Sequence, residues 1–147
     1  LMYIIIDFDG TVVTHDFPRI GKEIGSVPVL KRLAAEGHKL ILFTMRSKFE
    51  KKTKDKLGNV TKTIEDTLAP AVQWFADNDI PLYGIQNNPT QWRWTSSPKA
   101  YGELIIDDAA LGSPLMVNLE LSERPFVNWK LVEKMLEYNE ILTIKTK

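Results

Sequence analysis

The sequence predicts an α/β fold, with a parallel sheet of five strands flanked by helices on both faces. Short apolar runs alternate with segments whose apolar residues recur at helical spacing, which is the order of strand–helix–strand units. Several of the apolar runs also end abruptly in polar or acidic residues. This suits parallel strands that deliver side chains to one shared edge. At 147 residues the chain is read as a single domain, 1–147, long enough to bury roughly 70% of its unfolded surface.

The first strand is residues 3–8, ending in the run Ile4-Ile5-Ile6-Asp7-Phe8-Asp9-Gly10-Thr11. A loop rich in breakers follows (Pro18, Gly21, Gly25). Val29, Leu30, Leu33 and Ala34 then recur as a helical stripe, with Pro28 in the first turn and Gly37 as the stop. Residues 38–44 read as the second strand. The stretch 48–62 is dominated by lysine and reads as a basic loop or small lid. Leu68, Ala71, Val72, Phe75 and Ala76 mark a second helix, in which Pro70 suits the first turn; helix beginning as early as Thr63 would be kinked there. Residues 82–86 are a short third strand, and 87–98 an irregular loop carrying Trp92 and Trp94. Residues 103–107 and 115–118 are strands four and five, and Asn128 is expected to cap a last helix.

Composition narrows the function classes. Nineteen basic residues balance nineteen acidic ones, so no global field points to nucleic acid or an anionic membrane. The absence of cysteine excludes disulfides and thiol catalysis and removes the usual ligands of structural zinc. It is compatible with a cytoplasmic location, which is the expectation. The apolar N-terminal run stops at Asp7, too short for a signal peptide or a membrane span.

In this topology Asp7, Thr44 and Asp107 all end strands at one edge, with Lys99 in a loop leading to it. Asp7, Asp9, Asp107 and Asp108 then crowd together. Two like charges about 4 Å apart cost on the order of 4 kcal/mol at an effective dielectric near 20, so the four acids call for a cation. Oxygen ligands without His or Cys select a hard ion, and Mg²⁺ is the natural candidate beside a phosphate.

With these motifs the chain resembles the haloacid dehalogenase superfamily, in a small capless phosphatase-like subgroup of bacteria and phages. The resemblance rests on Asp7-Phe8-Asp9-Gly10-Thr11, Thr44-Met45-Arg46, Lys99, and Ile106 to Gly112 with its Asp107-Asp108 pair, in that order. It implies a Rossmann-like, haloacid-dehalogenase-like fold and an Mg²⁺-dependent phosphohydrolase acting through an aspartyl-phosphate. Asp7 is then the nucleophile and Asp9 the general acid and base. Thr44 and Lys99 bind the transferring phosphoryl group. Mg²⁺ is held by Asp7, the backbone carbonyl of Asp9, Asp107 and Asp108. Dehalogenases of the superfamily lack an acid at the position of Asp9, which points to phosphate chemistry.

Other residues keep two readings each. Arg46 is placed to reach the substrate's phosphate or leaving group, or to form a surface ion pair. His15 lies in the loop after the first motif, as a substrate contact or an exposed side chain; His38 reads as structural. Trp92 and Trp94 pack a long loop or stack on a leaving group. The lysine stretch, with five lysines against two acids over residues 48–56, is a solvated loop or an attractor of an anionic substrate. No insertion is long enough for a cap domain, so the open site admits small phosphomonoesters or macromolecular ends, with nucleic acid a partner only as substrate and no membrane partner. A non-catalytic module binding phosphorylated ligands, and a phosphotransferase to an acceptor other than water, are the alternatives.

Overall fold

The computed structural model describes residues 1–145, so the last two positions of the expected domain lie outside the described residues. Its elements are β1 (Tyr3–Ile6), α1 (Ser26–Ala35), β2 (Lys39–Leu42), β3 (Lys48–Lys54), β4 (Val60–Asp66), α2 (Leu68–Asp77), β5 (Gly84–Ile85), β6 (Leu104–Ile106), β7 (Leu115–Met116), β8 (Phe126–Val127) and α3 (Trp129–Tyr138). The fold is α/β, and the main sheet is wholly parallel in the order β5-β2-β1-β6. Strand order reverses between β1 and β6. This is the switch point at which open α/β sheets leave a crevice beyond the strand ends.

The sheet has four strands among the described residues, not the expected five. The would-be fifth strand, β7, pairs antiparallel with β8 instead. Eight residues separate Ile106 from Leu115, fewer than the dozen or so that a parallel crossover needs. The chain therefore turns back locally, and β6 is left as an edge.

The three helices share one face, whereas helices on both faces were expected. Alternation sends Ile4, Ile6, Leu40 and Leu42 toward Leu30 and Leu33 of α1, Phe75 of α2 and Trp129, Val132 and Leu136 of α3. Ile5 and Ile41 point the other way, against Ala100 and the partly buried Tyr3 and Tyr83. Right-handed crossovers explain the division. The steps from β1 to β2 and from β2 to β5 run in one direction and put α1 and α2 on one side. The step from β5 back to β6 must cross the opposite face. It does so as residues 86–103, whose only helical piece is a 3₁₀ turn at Gln91–Arg93.

The lysine stretch is an antiparallel hairpin, β3 with β4, in register from Lys48↔Asp66 to Lys54↔Val60. Its turn is built by Asp55, whose carboxylate accepts N–H bonds from Leu57 and Asn59, both 2.9 Å. Gly58 supplies the positive φ of +84°. Residues from Thr63 to Asp66 are thus strand, not helix. Helix α2 starts at Leu68, so Pro70 sits in its first turn and kinks nothing. Asn128 caps α3 as expected, its side chain accepting the Leu131 N–H at 3.1 Å. Among the described residues no helix is long and apolar enough to cross a membrane.

Candidate functional site

The site is assembled at the switch point by backbone pairing. The Asp7 N–H donates to Ile106 O at 3.0 Å, and the Phe43 N–H to Ile6 O at 2.9 Å. The residues following β1, β2 and β6 are thereby laid side by side. After Asp7 the chain folds into a tight turn in which the N–H groups of Thr11 and Val12 both bond Phe8 O. Gly10 is required here: its φ is +76°, and a Cβ would strike the His15 ring and lie 2.6 Å from Asp108 Oδ2.

Three of the four expected acids converge. Asp7, Asp107 and Asp108 each offer an oxygen, and these atoms lie within 4.8 Å of one another. Thr11 ties the group together. Its hydroxyl donates to Asp7 Oδ2 at 2.7 Å and accepts the Asp108 N–H at 3.0 Å, with Asp108 Oδ1 3.2 Å away. Asp107 Oδ1 accepts the Ala109 N–H at 2.9 Å. Burial, reinforced by the neighbouring Asp107 charge and by Asp108, pushes the Asp7 carboxyl up to about 7 despite the opposing Thr11 bond. The donors are all carboxylate oxygens, the set that suits a hard divalent cation, and a cation would offset both the burial and the repulsion. The residues present could therefore hold such a cation.

The Asp9 side chain belongs to a different contact. Both its oxygens accept from Arg46, Nε to Oδ2 and Nη2 to Oδ1, each at 2.8 Å. The remaining N–H groups of Arg46 go to the carbonyls of Pro18 (3.0 Å), Arg19 (2.7 Å) and Thr67 (3.0 Å). All five donors of the guanidinium are used. Phe8 and Phe17 flank it, with ring centroids 5.0 and 5.2 Å away. Arg46 is 1% exposed, so it is a buried clamp rather than a surface ion pair, and as placed it has no donor left for a substrate.

Thr44 stands beside this clamp. Its hydroxyl oxygen accepts the Arg46 N–H at 3.2 Å, which leaves its own proton free to donate. Gln86 braces the same turn, accepting from Thr44 N at 2.8 Å and donating to the carbonyls of Thr44 (2.7 Å) and Arg46 (2.8 Å). Lys99 is exposed and forms no ion pair with an acid among the described residues. Only its backbone is fixed, by Ser97 Oγ and Gln91 Nε2. Trp94 packs edge-on against Tyr101, and Trp92 is 73% exposed.

Sequence reasoning missed several supports. His15 Nε2 lies 2.9 Å from Asp108 Oδ2 and so orients that carboxylate. Trp129 Nε1 donates to Thr11 O at 2.6 Å, holding the turn from beneath. Trp129 falls in the expected last helix and Gln86 at the end of the expected third strand; neither placement announces the partner.

An α/β chain with carboxylates gathered at the switch point of a parallel sheet is what fold and site define. No family model matches the chain, and no curated protein matches it. Among solved structures it is similar to a conserved protein of Bacteroides thetaiotaomicron, with a TM-score of 0.66 and 28% identity, over 94% of this chain and 91% of that one.

Proposed function

We propose that the chain is an Mg²⁺-dependent phosphohydrolase that cleaves phosphomonoesters through an aspartyl-phosphate on Asp7, within the haloacid dehalogenase superfamily. The observation that carries this reading is the convergence of Asp7, Asp107 and Asp108, joined by the Thr11 hydroxyl, at the carboxyl edge of the sheet.

The Asp7 carboxylate, oriented by Thr11, attacks phosphorus. The bond from phosphorus to the leaving oxygen breaks, its electron pair stays on that oxygen, and a proton from Asp9 completes the released alcohol. Water then attacks the same phosphorus and gives its proton to Asp9. The acyl–phosphate bond breaks, freeing phosphate and Asp7. Thr44, with its hydroxyl proton free, and Lys99 bind phosphoryl oxygens where charge develops. Asp7, Asp107, Asp108 and the Asp9 carbonyl would hold Mg²⁺, which would supply charge neutralisation when bound. Arg46 keeps Asp9 at a fixed place beside the turn.

The test is Mg²⁺-dependent release of phosphate from p-nitrophenyl phosphate. Turnover should vanish with EDTA and with Asp7→Asn, and fall about 10²–10⁴-fold with Asp9→Asn. Undiminished activity in Asp7→Asn, or none in the native chain, would refute the proposal. The clamp on both Asp9 oxygens favours one second reading, a module that binds phosphorylated ligands without turning them over. Phosphate binding without turnover would select it.

A further inference from the structure

The hairpin of β3 and β4 stands apart from the packed layers. Thirteen of its fourteen strand residues are exposed, Glu65 being the partly buried one. Its base is nevertheless fixed to the candidate site. The Thr67 N–H bonds Ser47 O, and the Ser47 N–H bonds Thr67 Oγ1, both at 3.0 Å. Arg46, the clamp on Asp9, holds Thr67 O. The base of the hairpin therefore adjoins the residue that clamps Asp9.

Pairing sorts the side chains onto two faces, since directly opposed residues share a face and alternate along each strand. One face carries Lys48, Glu50, Lys52 and Lys54 from β3 and Val60, Lys62, Ile64 and Asp66 from β4. Its acids sit toward the base. The outer half holds Lys52, Lys54 and Lys62 with Val60, and no acid. Lys52 lies directly opposite Lys62, a like-charge pair that is destabilising in a two-stranded ribbon. Among the described residues one ion pair relieves this face, a long exposed contact of 3.7 Å from Lys62 to Glu50. The other face carries Phe49, Lys51, Thr53, Thr61, Thr63 and Glu65, where Lys51 and Glu65 pair at 3.8 Å. The turn adds Lys56 and the tied Asp55.

This face fits a strand of negative charges. Lysines two residues apart on one strand are separated by about 6.8 Å, and a phosphodiester chain meets that spacing with a charge on every unit. An extended acidic peptide does so only when every second residue is acidic. We infer that the outer lysines of the hairpin, Lys52, Lys54 and Lys62, bind the backbone of a single-stranded nucleic acid whose terminal phosphomonoester enters the Asp7 site. The inference rests on the phosphohydrolase reading for its chemistry and on the hairpin alone for its binding. The sequence-neutral contact of lysine with phosphate supplies the affinity, and the end of the strand supplies the bond that is cut.

Binding and turnover are tested separately. The probe is an oligothymidylate of about 12 nucleotides, within the usual single-strand site size, with a 5′-phosphate and a 3′-fluorophore. Its anisotropy is titrated with the Asp7→Asn chain, so that hydrolysis plays no part. Three backbone contacts predict a slope of log Kobs against log salt of about −2. The combined Lys52→Glu, Lys54→Glu and Lys62→Glu variant should weaken binding at least about tenfold and flatten the slope toward zero. Replacing the same three by Arg should retain both, which separates lost charge from a disturbed hairpin. On the native background the Glu variant should lose turnover of the phosphorylated oligonucleotide while keeping that of p-nitrophenyl phosphate. Oligonucleotide affinity indifferent to the three lysines overturns the inference, as does equal affinity for an acidic phosphopeptide of matched charge. Absence of small-ester turnover in the native chain, with oligonucleotide binding intact, would instead count against the phosphohydrolase reading.

Discussion

Arg46 has five N–H groups and five acceptors, and three of those acceptors are carbonyls of segments distant in sequence. Arg46→Met would leave Asp9 without its counter-charge and strand the carbonyls of Pro18, Arg19 and Thr67. The expected cost is about 3 kcal/mol of stability, read by chemical denaturation, together with loss of turnover. Arg46→Lys should recover only part of it, because an ammonium has three donors and no fork. The acids were legible in the sequence because a carboxylate at the tip of an apolar strand is a local signal. Arg46 was visible as a residue near the site, but its burial was not. Its partners come from the loop after β1 and from the residue that closes the base of the hairpin, and no spacing within the chain announces such a meeting. The same holds for Trp129, whose indole reaches Thr11 across 118 residues.

At the scale of elements, helices were read well and short strands less so. Stripes, Pro28, Gly37 and Asn128 placed α1 and α3, since capping and periodicity are properties of neighbouring residues. Asn128→Ala should cost about 1 kcal/mol, the usual loss of a side-chain N-cap, measured as a shifted denaturation midpoint with an unchanged slope. An unshifted midpoint would mean that packing of α3, tied to α1 through Arg32 and Glu133 at 3.0 Å, already fixes its first turn. The hairpin escaped notice because its strands bury neither face and so lack the apolar alternation that marks a strand. Its turn chemistry, Asp55 with Gly58 and Asn59, was the available signal. β7 was placed in the main sheet because an apolar run says nothing of its partner; the short connection from β6 decided that.

Over the whole molecule, the raised Asp7 carboxyl couples the site to stability. The folded chain keeps a proton on Asp7 between the usual 3.8 and about 7, a range in which the unfolded chain has released it. Asp7's contribution is therefore full below about pH 4 and gone above about pH 7, and the cation-free protein loses stability as pH rises through that window. Mg²⁺ at millimolar concentration should raise the melting temperature at about pH 7.5 and leave it nearly unchanged at about pH 5. Asp7→Asn should abolish the difference between the two. An equal Mg²⁺ response at both pH values would exclude Asp7 from the cation site.

The crossing of the second sheet face without a helix divides the site into a part that is hard to alter and a part that is easy. Asp7, Asp107 and Asp108 end or follow paired strands, and any shift in them disturbs the buried sheet. Lys99 rides on the irregular segment 86–103, where loops accept changes of length and sequence most readily. If Lys99 grips a phosphoryl group as proposed, its part of that grip can drift, be lost or be rebuilt while the acids stay in place. On that reading the acids and Lys99's share in selecting what reacts are separately heritable.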